Sequence, residues 1–261
     1  MIKINFGVDA ICHADAATTG TPQTIPVLLP SAVQTQFADE LENSDDDDFG
    51  RAVRRIIRRT YREHRRIIFN GNNYSKEWKE EAKKRGLSNY PSTPEAIPHF
   101  TDEKNVALFT KHNIYTEREI TSRCEIILEN YCKTVNIEAL TMIDMVRKEV
   151  LPAVTKYTAK LSEGALEKKR LIVGLPCKTE IGLVKKLSAL TDELYEKVAL
   201  LEYAVEKVRS MDGDISKKAT AYREKVVLPM EELRCVADEI EANVSENIWP
   251  YPTYCDLLFR I

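Results

Sequence analysis

Hydrophobic and polar positions change rhythm once along this chain. Over the first eight residues Ile2, Ile4, Phe6 and Val8 alternate with Lys3 and Asn5. That period of two predicts a short half-buried strand. Residues 15–30 are small, polar and interrupted by Pro22, Pro26 and Pro30, which reads as a linker. From Ser31 the spacing becomes three and four and stays helical. A first helix is expected over about 31–43. The acidic tract Asp45–Asp48 is placed to cap a second, about 48–69, whose stripe holds Val53, Ile56, Ile57, Thr60, Tyr61, His64, Ile67 and Ile68. A third runs from Ser75 to a C′ glycine at Gly86, and Thr93-Pro94 reads as N-cap and N1 proline of a short turn. A further short helix is expected over 101–111.

Thr116-Glu117-Arg118-Glu119 is a capping box that opens a long helix. Its stripe runs Ile120, Cys124, Ile127, Tyr131, Val135, Ile143, Val146 and Val150; Pro152 is expected to kink or break it near residue 150, with helix resuming to about 161. Then come two stripes of near-heptad spacing. The first, over 178–211, carries Ile181, Val184, Leu187, Leu190, Leu194, Val198, Leu201, Val205 and Val208. The second carries Ile215, Ala219, Tyr222, Val226, Met230, Leu233, Ala237, Ile240 and Val244, with a bend expected at Pro229. The short turn Met211-Asp212-Gly213-Asp214 between them predicts a long antiparallel helical hairpin over about 178–244. The segment Ile248–Tyr254, with Pro250 and Pro252, predicts an irregular tail that closes on Leu257, Leu258 and Phe259. The fold class is therefore mostly α: a multi-helix domain over 31–261 with this hairpin, preceded by a strand and linker over 1–30.

Composition narrows function more than fold. Of 261 residues only 9 are glycine, and no two lie closer than Gly174 and Gly182, so no Walker A loop or G-x-G-x-x-G turn exists to cradle a phosphate. The net charge of −3 predicts no strong field toward nucleic acid or an anionic membrane. The six cysteines (Cys12, Cys124, Cys132, Cys177, Cys235, Cys255) form no C-x-x-C and read as reduced thiols of a cytoplasmic protein. Met1–Val8 lacks the apolar h-region of a signal peptide, so none is expected, and no run approaches a membrane span.

Candidate chemistry is sparse. Eight arginines lie between Arg51 and Arg66, a loud local signal for phosphate or RNA. No aromatic interleaves the arginines on that face and acidic residues stand beside them, so a solvated helix face is the expectation and nucleic acid is not an expected partner. His13, His64, His99 and His112 have no metal-spaced companion, and His64 is expected in the core. Glu80-Glu81 and Glu231-Glu232 are adjacent on helices and point ~100° apart, so they do not converge on one ion. Cys124 and Cys132 share a helix face and are expected to be core residues; Cys177, beside Pro176 at a helix start, is read as core or cap ahead of reactive thiol. No Ser-His-Asp or Cys-His arrangement is legible.

Three stretches go beyond composition. They are Arg65–Ser75 (RRIIFNGNNYS), Leu128–Val154 (LENYCKTVNIEALTMIDMVRKEVLPAV) and Trp249–Phe259 (WPYPTYCDLLF). In this order they resemble the C-terminal part of type III glutamine synthetases, over roughly residues 31–261. Cys255 stands where the resemblance leads one to expect glycine. The resemblance implies an ATP-dependent ligase joining glutamate and ammonia, built as a double-ringed oligomer. It also implies a catalytic β-barrel domain upstream, holding two or more Mg²⁺ or Mn²⁺ ions with glutamates and a histidine. Gly20–Thr24 reads as a degraded remnant of that barrel's closing motif, and no E-F-R stands before it. Accordingly no catalytic, cofactor-binding or metal residue is carried over to any position, and no cofactor is assigned to this chain; ATP and the metals belong to the whole family protein.

Three functions compete on this reading. The first is a structural and oligomerisation domain, inactive by itself, a fragment or truncated product that meets copies of itself or a barrel-domain subunit. The second is a complementing subunit of a split synthetase, which an adjacent reading frame ending near E-F-R would favour. The third is a nucleic-acid module using Arg51–Arg66, whose binding would weaken steeply with salt.

Overall fold

The computed structural model describes residues 37–43, 49–72, 75–252 and 254–259. The expected strand over residues 1–8, the linker to residue 30 and Asp45–Asp48 lie outside the described residues, and no strand runs among those that are described. The chain divides into two compact units, Met1–Tyr131 and Cys132–Ile261.

The first unit is a set of short helices. Residues 37–42 form α1 and Phe49–Glu63 form α2. The second helix ends earlier than its hydrophobic stripe implies, because the chain tightens into a 3₁₀ turn at Arg65–Ile67. Helix α3, Lys76–Lys84, is capped at both ends as the sequence dictates. The Ser75 hydroxyl accepts from the Trp78 N–H at 3.3 Å. At the other end Gly86 sits at φ +68°, Leu87 N–H reaches the Ala82 carbonyl and Gly86 N–H reaches Lys83, the pair of bonds of a Schellman motif. Arg85, ion-paired with Glu81, donates to the carbonyls of Arg66 and Ile68 and so ties α3 to the chain before it.

A short turn α4, Thr93–Ala96, continues as a 3₁₀ stretch over Ile97–Thr101. Its N-cap is Ser92, one residue before the expected Thr93; Ser92 is fully buried and its hydroxyl donates to Glu95 at 2.7 Å. Helix α5 spans Glu103–Lys111. Helix α6, Glu117–Met145, begins on the expected capping box: Thr116 N–H donates to the Glu119 carboxylate at 2.8 Å and Glu119 N–H returns to the Thr116 hydroxyl at 3.3 Å. The Thr116 N–H, and then the Thr116 hydroxyl donating at 2.9 Å, hold the Glu119 carboxyl below its ordinary range. The core of this unit gathers Ala96, Ile97, Phe109, Ile120, Cys124 and Leu128. The Cys124 thiol donates to the Ile97 carbonyl at 3.7 Å, and burial pushes its pKa up.

The second unit is built on three long helical runs. Helix α6 does not break near residue 150. It widens into a π turn, Val146–Val150, and continues as α7, Leu151–Leu171. A proline ring clashes with the carbonyl four residues back in a regular helix, and the wider turn moves that carbonyl aside. Buried positions there step by four, Val146 to Val150 to Val154. A 3.6-residue turn would rotate such a series off the core, whereas a wider turn keeps it in line. Helix α8, Lys178–Arg209, returns antiparallel. Then α9, Ile215–Tyr222, capped by Asp214, passes through a second π turn, Arg223–Val227, into α10, Leu228–Glu241. Pro229 follows that turn as Pro152 follows the first. The hairpin of α8 with α9 and α10 is the one expected, and Lys186–Glu239 and Lys197–Glu232 pairs run along its sides.

Helix α8 is the centre. Its stripe Leu187, Leu194, Val198, Leu201 and Val208 is fully enclosed, with α7 on one side and α10 on the other. Val226, Leu233 and Ile240 face it from the returning arm. Arg147 forks Glu202 across the helices at 2.9 and 2.7 Å and lies over the Tyr195 ring at 4.9 Å. The tail is irregular through Pro252, as expected, but Tyr254–Phe259 close as one helical turn and a half, α11. No proline follows Pro252 to prevent it.

Leu194→Ala is expected to lower stability by about 2–5 kcal/mol, the range for truncating a leucine in a rigid core. Tyr203→Ala, on the exposed side of the same helix, should change stability by less than about 0.5 kcal/mol. Chemical denaturation of both variants against the parent checks the contrast.

Candidate functional site

Three concave surfaces stand out among the described residues. Two are in the first unit. The arginine face of α2 presents Arg51, Arg54, Arg55, Arg58, Arg59 and Arg62 around a shallow hollow. It is partly neutralised: Arg59 forks the Glu40 carboxylate and also reaches Glu63 at 3.7 Å, while Arg54 and Arg55 have partners of their own. The Arg59 hydrogen bond holds the Glu40 carboxyl below its ordinary range. Behind the same helix an apolar hollow of about 310 Å³ is lined by Phe37, Leu41, Val53, Ile56 and Tyr61. His64 borders that hollow but is exposed, not a core residue as its stripe implied. The helix ends at Glu63, so the stripe no longer carries it inward.

The third surface is a groove of about 600 Å³ in the second unit. One wall is α6 and its π turn, with Ile137, Thr141, Met142, Met145 and Val150; the other is α10, with Met230, Leu233 and Ala237. The tail folds across it and adds Trp249, Tyr251, Pro252 and Leu257. Two of the stretches singled out in the sequence, NIEALTM and WPYPTY, therefore meet in one place. Asn136 accepts from the buried Tyr222 hydroxyl at 3.3 Å, and Ala139 is fully enclosed against the helices beneath.

The groove is apolar with enclosed polar ends. The Trp249 Nε1–H is enclosed without a hydrogen-bond partner among the described residues, while the equally enclosed Tyr251 hydroxyl has the Glu149 carboxylate within its reach. A buried donor costs about 1–3 kcal/mol when left unpaired. The two rings meet edge to face at 6.1 Å between centroids. Burial, and then the neighbouring Glu149 carboxylate, push the Tyr251 phenol up to about 12.

The other sequence-level candidates do not assemble into a reaction centre. Cys124, Cys132 and Cys177 are buried and reduced, as expected of core thiols, and Cys235 is exposed. Cys177 caps α8 in a left-handed conformation and donates to the Ala165 carbonyl at 3.8 Å. His99 stacks on Tyr90 and contacts Asp102 at 3.1 Å. The adjacent carboxylates Glu231 and Glu232 diverge, one to Arg223 and the other to Lys197. His13, Cys12 and the side chain of Cys255 lie outside the described residues. Among the described residues no three His, Cys, Asp or Glu side chains come together as a metal would require, so a divalent ion finds no donor set in them. No helix among them is long and apolar enough to cross a membrane.

What the described residues define is an all-helical chain with exposed apolar surface and an apolar groove. Comparison with known proteins gives its family. Residues 52–169 match the family model of the glutamine synthetase C-terminal domain. The chain is similar to glutamine synthetase of Butyrivibrio fibrisolvens, 38% identical over 215 residues, covering 82% of this chain and 31% of the relative. It is similar to the type-3 glutamine synthetase of Dictyostelium discoideum, 35% identical over 80% of this chain and 29% of the relative. A glutamine synthetase of Bacteroides fragilis (strain YCH46) is 29% identical over 86% of this chain and 31% of the relative. The chain belongs to the glutamine synthetase family, in its C-terminal helical region, and it spans about three tenths of the length of these relatives.

The raised Tyr251 pKa has a signed consequence. An ordinary tyrosine ionises near ~10, so between about 10 and about 12 the folded chain keeps a proton that the unfolded chain has lost. Stability is full below that window and falls as pH rises through it. Urea midpoints measured from pH 9 to 12 should drop more steeply for the parent than for Tyr251→Phe, and a phenolate titration should lose its last-ionising tyrosine in the variant.

Proposed function

We propose that this chain is the assembly and scaffold domain of a type III glutamine synthetase and makes no glutamine by itself. The observation that carries this is the pairing of a family match to a C-terminal domain with coverage of only about three tenths of each relative. The family reaction joins ammonia to glutamate with ATP, a phosphoryl-transfer chemistry that needs metals, cations and substrate in one cleft. The described residues offer no such convergence, so ATP and Mg²⁺ or Mn²⁺ belong to the rest of the synthetase. No catalytic, nucleotide or metal role is assigned to any residue here. The working compartment on this reading is the cytoplasm, and the partners are further synthetase subunits.

The surface supports an assembly role. Leu171, Ile172, Val173, Leu200, Tyr203 and Leu257 are all more than half exposed in the second unit. The consecutive aliphatics Leu171, Ile172 and Val173 concentrate that exposure in one turn, the kind of apolar surface that protein interfaces use.

Purified chain given glutamate, ATP, Mg²⁺ and ammonia is expected to release no phosphate above blank. The same chain should associate in light scattering as its concentration rises. Sustained, ammonia-dependent phosphate release would end the scaffold reading.

A further inference from the structure

The second unit carries a socket and a plug that cannot meet within one molecule. The socket is the α6/α10 groove, about 600 Å³, lined by apolar side chains of both helices and by Trp249 and Tyr251 of the tail. Its lining is acidic: Glu138, Asp238 and Glu241 stand along it and Glu149 lies beside Tyr251. Arg234, the cation in that lining, is held by Asp238 at 2.5 Å. The plug is the turn that ends α7. Leu171 is 84% exposed, Ile172 54% and Val173 94%. Gly174, at φ +83°, turns the chain back behind them. Lys169 and Arg170, both exposed, precede the three aliphatics directly.

Two properties of the plug match the socket. Its side chains are branched and apolar, as is the groove floor. Its flanking charge is positive against an acidic lining, so approach is steered.

The two sites lie on one continuous helical run. Val150 lines the groove and Leu171 starts the plug, at the far end of the 21-residue helix α7 that follows Val150. At ~1.5 Å per residue that is a separation of about 30 Å along a stiff axis. No copy can reach its own socket. We propose that the Leu171–Val173 turn of one copy seats in the α6/α10 groove of a second copy, with Lys169 and Arg170 against Glu138 and Glu241. Plug and socket are different surfaces, so the contact is heterologous: each copy gives one and receives one, and repetition builds a ring or an open chain. This deepens the assembly role proposed above and rests on it.

The test is complementation between two broken halves, using the full chain and light scattering. Val173→Asp spoils the plug and leaves the socket; Ile137→Lys spoils the socket and leaves the plug. Ile137 is 62% exposed, so both changes fall on the surface and both variants should keep the parent's helical content and melting curve. The parent is expected to grow beyond a dimer with concentration. Each variant alone should stay monomeric. An equimolar mixture should give a 1:1 dimer and nothing larger, because one good plug meets one good socket and the chain then ends. If the parent stays monomeric throughout, both the assembly role and this contact are wrong. If the parent associates and both variants associate equally well, or their mixture stays monomeric, only the contact is wrong. A charge exchange guards against a misfolded variant. Arg170→Glu and Glu241→Lys should each weaken association at low salt, and the double variant should restore it; equal association in all three overturns the contact.

Discussion

Everything in the second unit depends on the burial of one stripe. Helix α8 places Leu187, Leu194, Val198, Leu201, Val205 and Val208 along a seam with steps of three, four and seven. A single helix cannot cover that seam, and an isolated hairpin covers it on one side only. Here α7 closes one flank and α10 the other. Burying a leucine or valine contributes about 1.5–3 kcal/mol, so the seam outweighs the surface ion pairs beside it, each worth ~0–1 kcal/mol. The Lys186–Glu239 and Lys197–Glu232 pairs set register on the hairpin more than they hold it together.

Much of this was legible because it is local or strictly periodic. The hairpin follows from two stripes separated by four turn residues around Gly213. The capping box at Thr116 and the glycine stop at Gly86 each need only a few neighbouring residues, and each appears with the hydrogen bonds its pattern demands. What failed was reasoning that stops at one residue. Pro152 was expected to break a helix, yet Val146, Val150 and Val154 step by four and call for a wider turn at that point. His64 was placed inside because its stripe is apolar, yet α2 ends one residue before it. The terminal turn Tyr254–Phe259 was hidden by the prolines just upstream. The enclosed polar groups beside the groove could not be found at all from spacing. They arise where residues near 140, 235 and 250 converge, and nothing local announces that convergence.

The resemblance acquires a physical meaning from the same convergence. The stretch at about 136–142 lines one wall of the groove, and Trp249, Tyr251 and Pro252 of the tail fold across it. Asn136 accepts from Tyr222, Ala139 is fully enclosed and Met142 lines the groove, so one short run serves the bundle and the groove together. A core demands volume and apolar character, which many residues meet. A groove whose walls face inward to a bundle and outward to an aromatic tail demands shape on both sides.

The two π turns tie this groove to the bundle that supports it. Each widens its helix just before a proline, and each adjoins the groove: Val146 and Val150 line it from the first, and Met230 follows the second. A regular turn at either place would rotate the following residues around the axis and carry them out of the seam with α8. The prolines remove a backbone donor that a regular turn would require, so they lock the wide turn in place. Core packing and groove shape are thus set by the same two backbone features. The domain keeps its stability in the α8 seam, and the groove opens between α6 and α10, outside that seam.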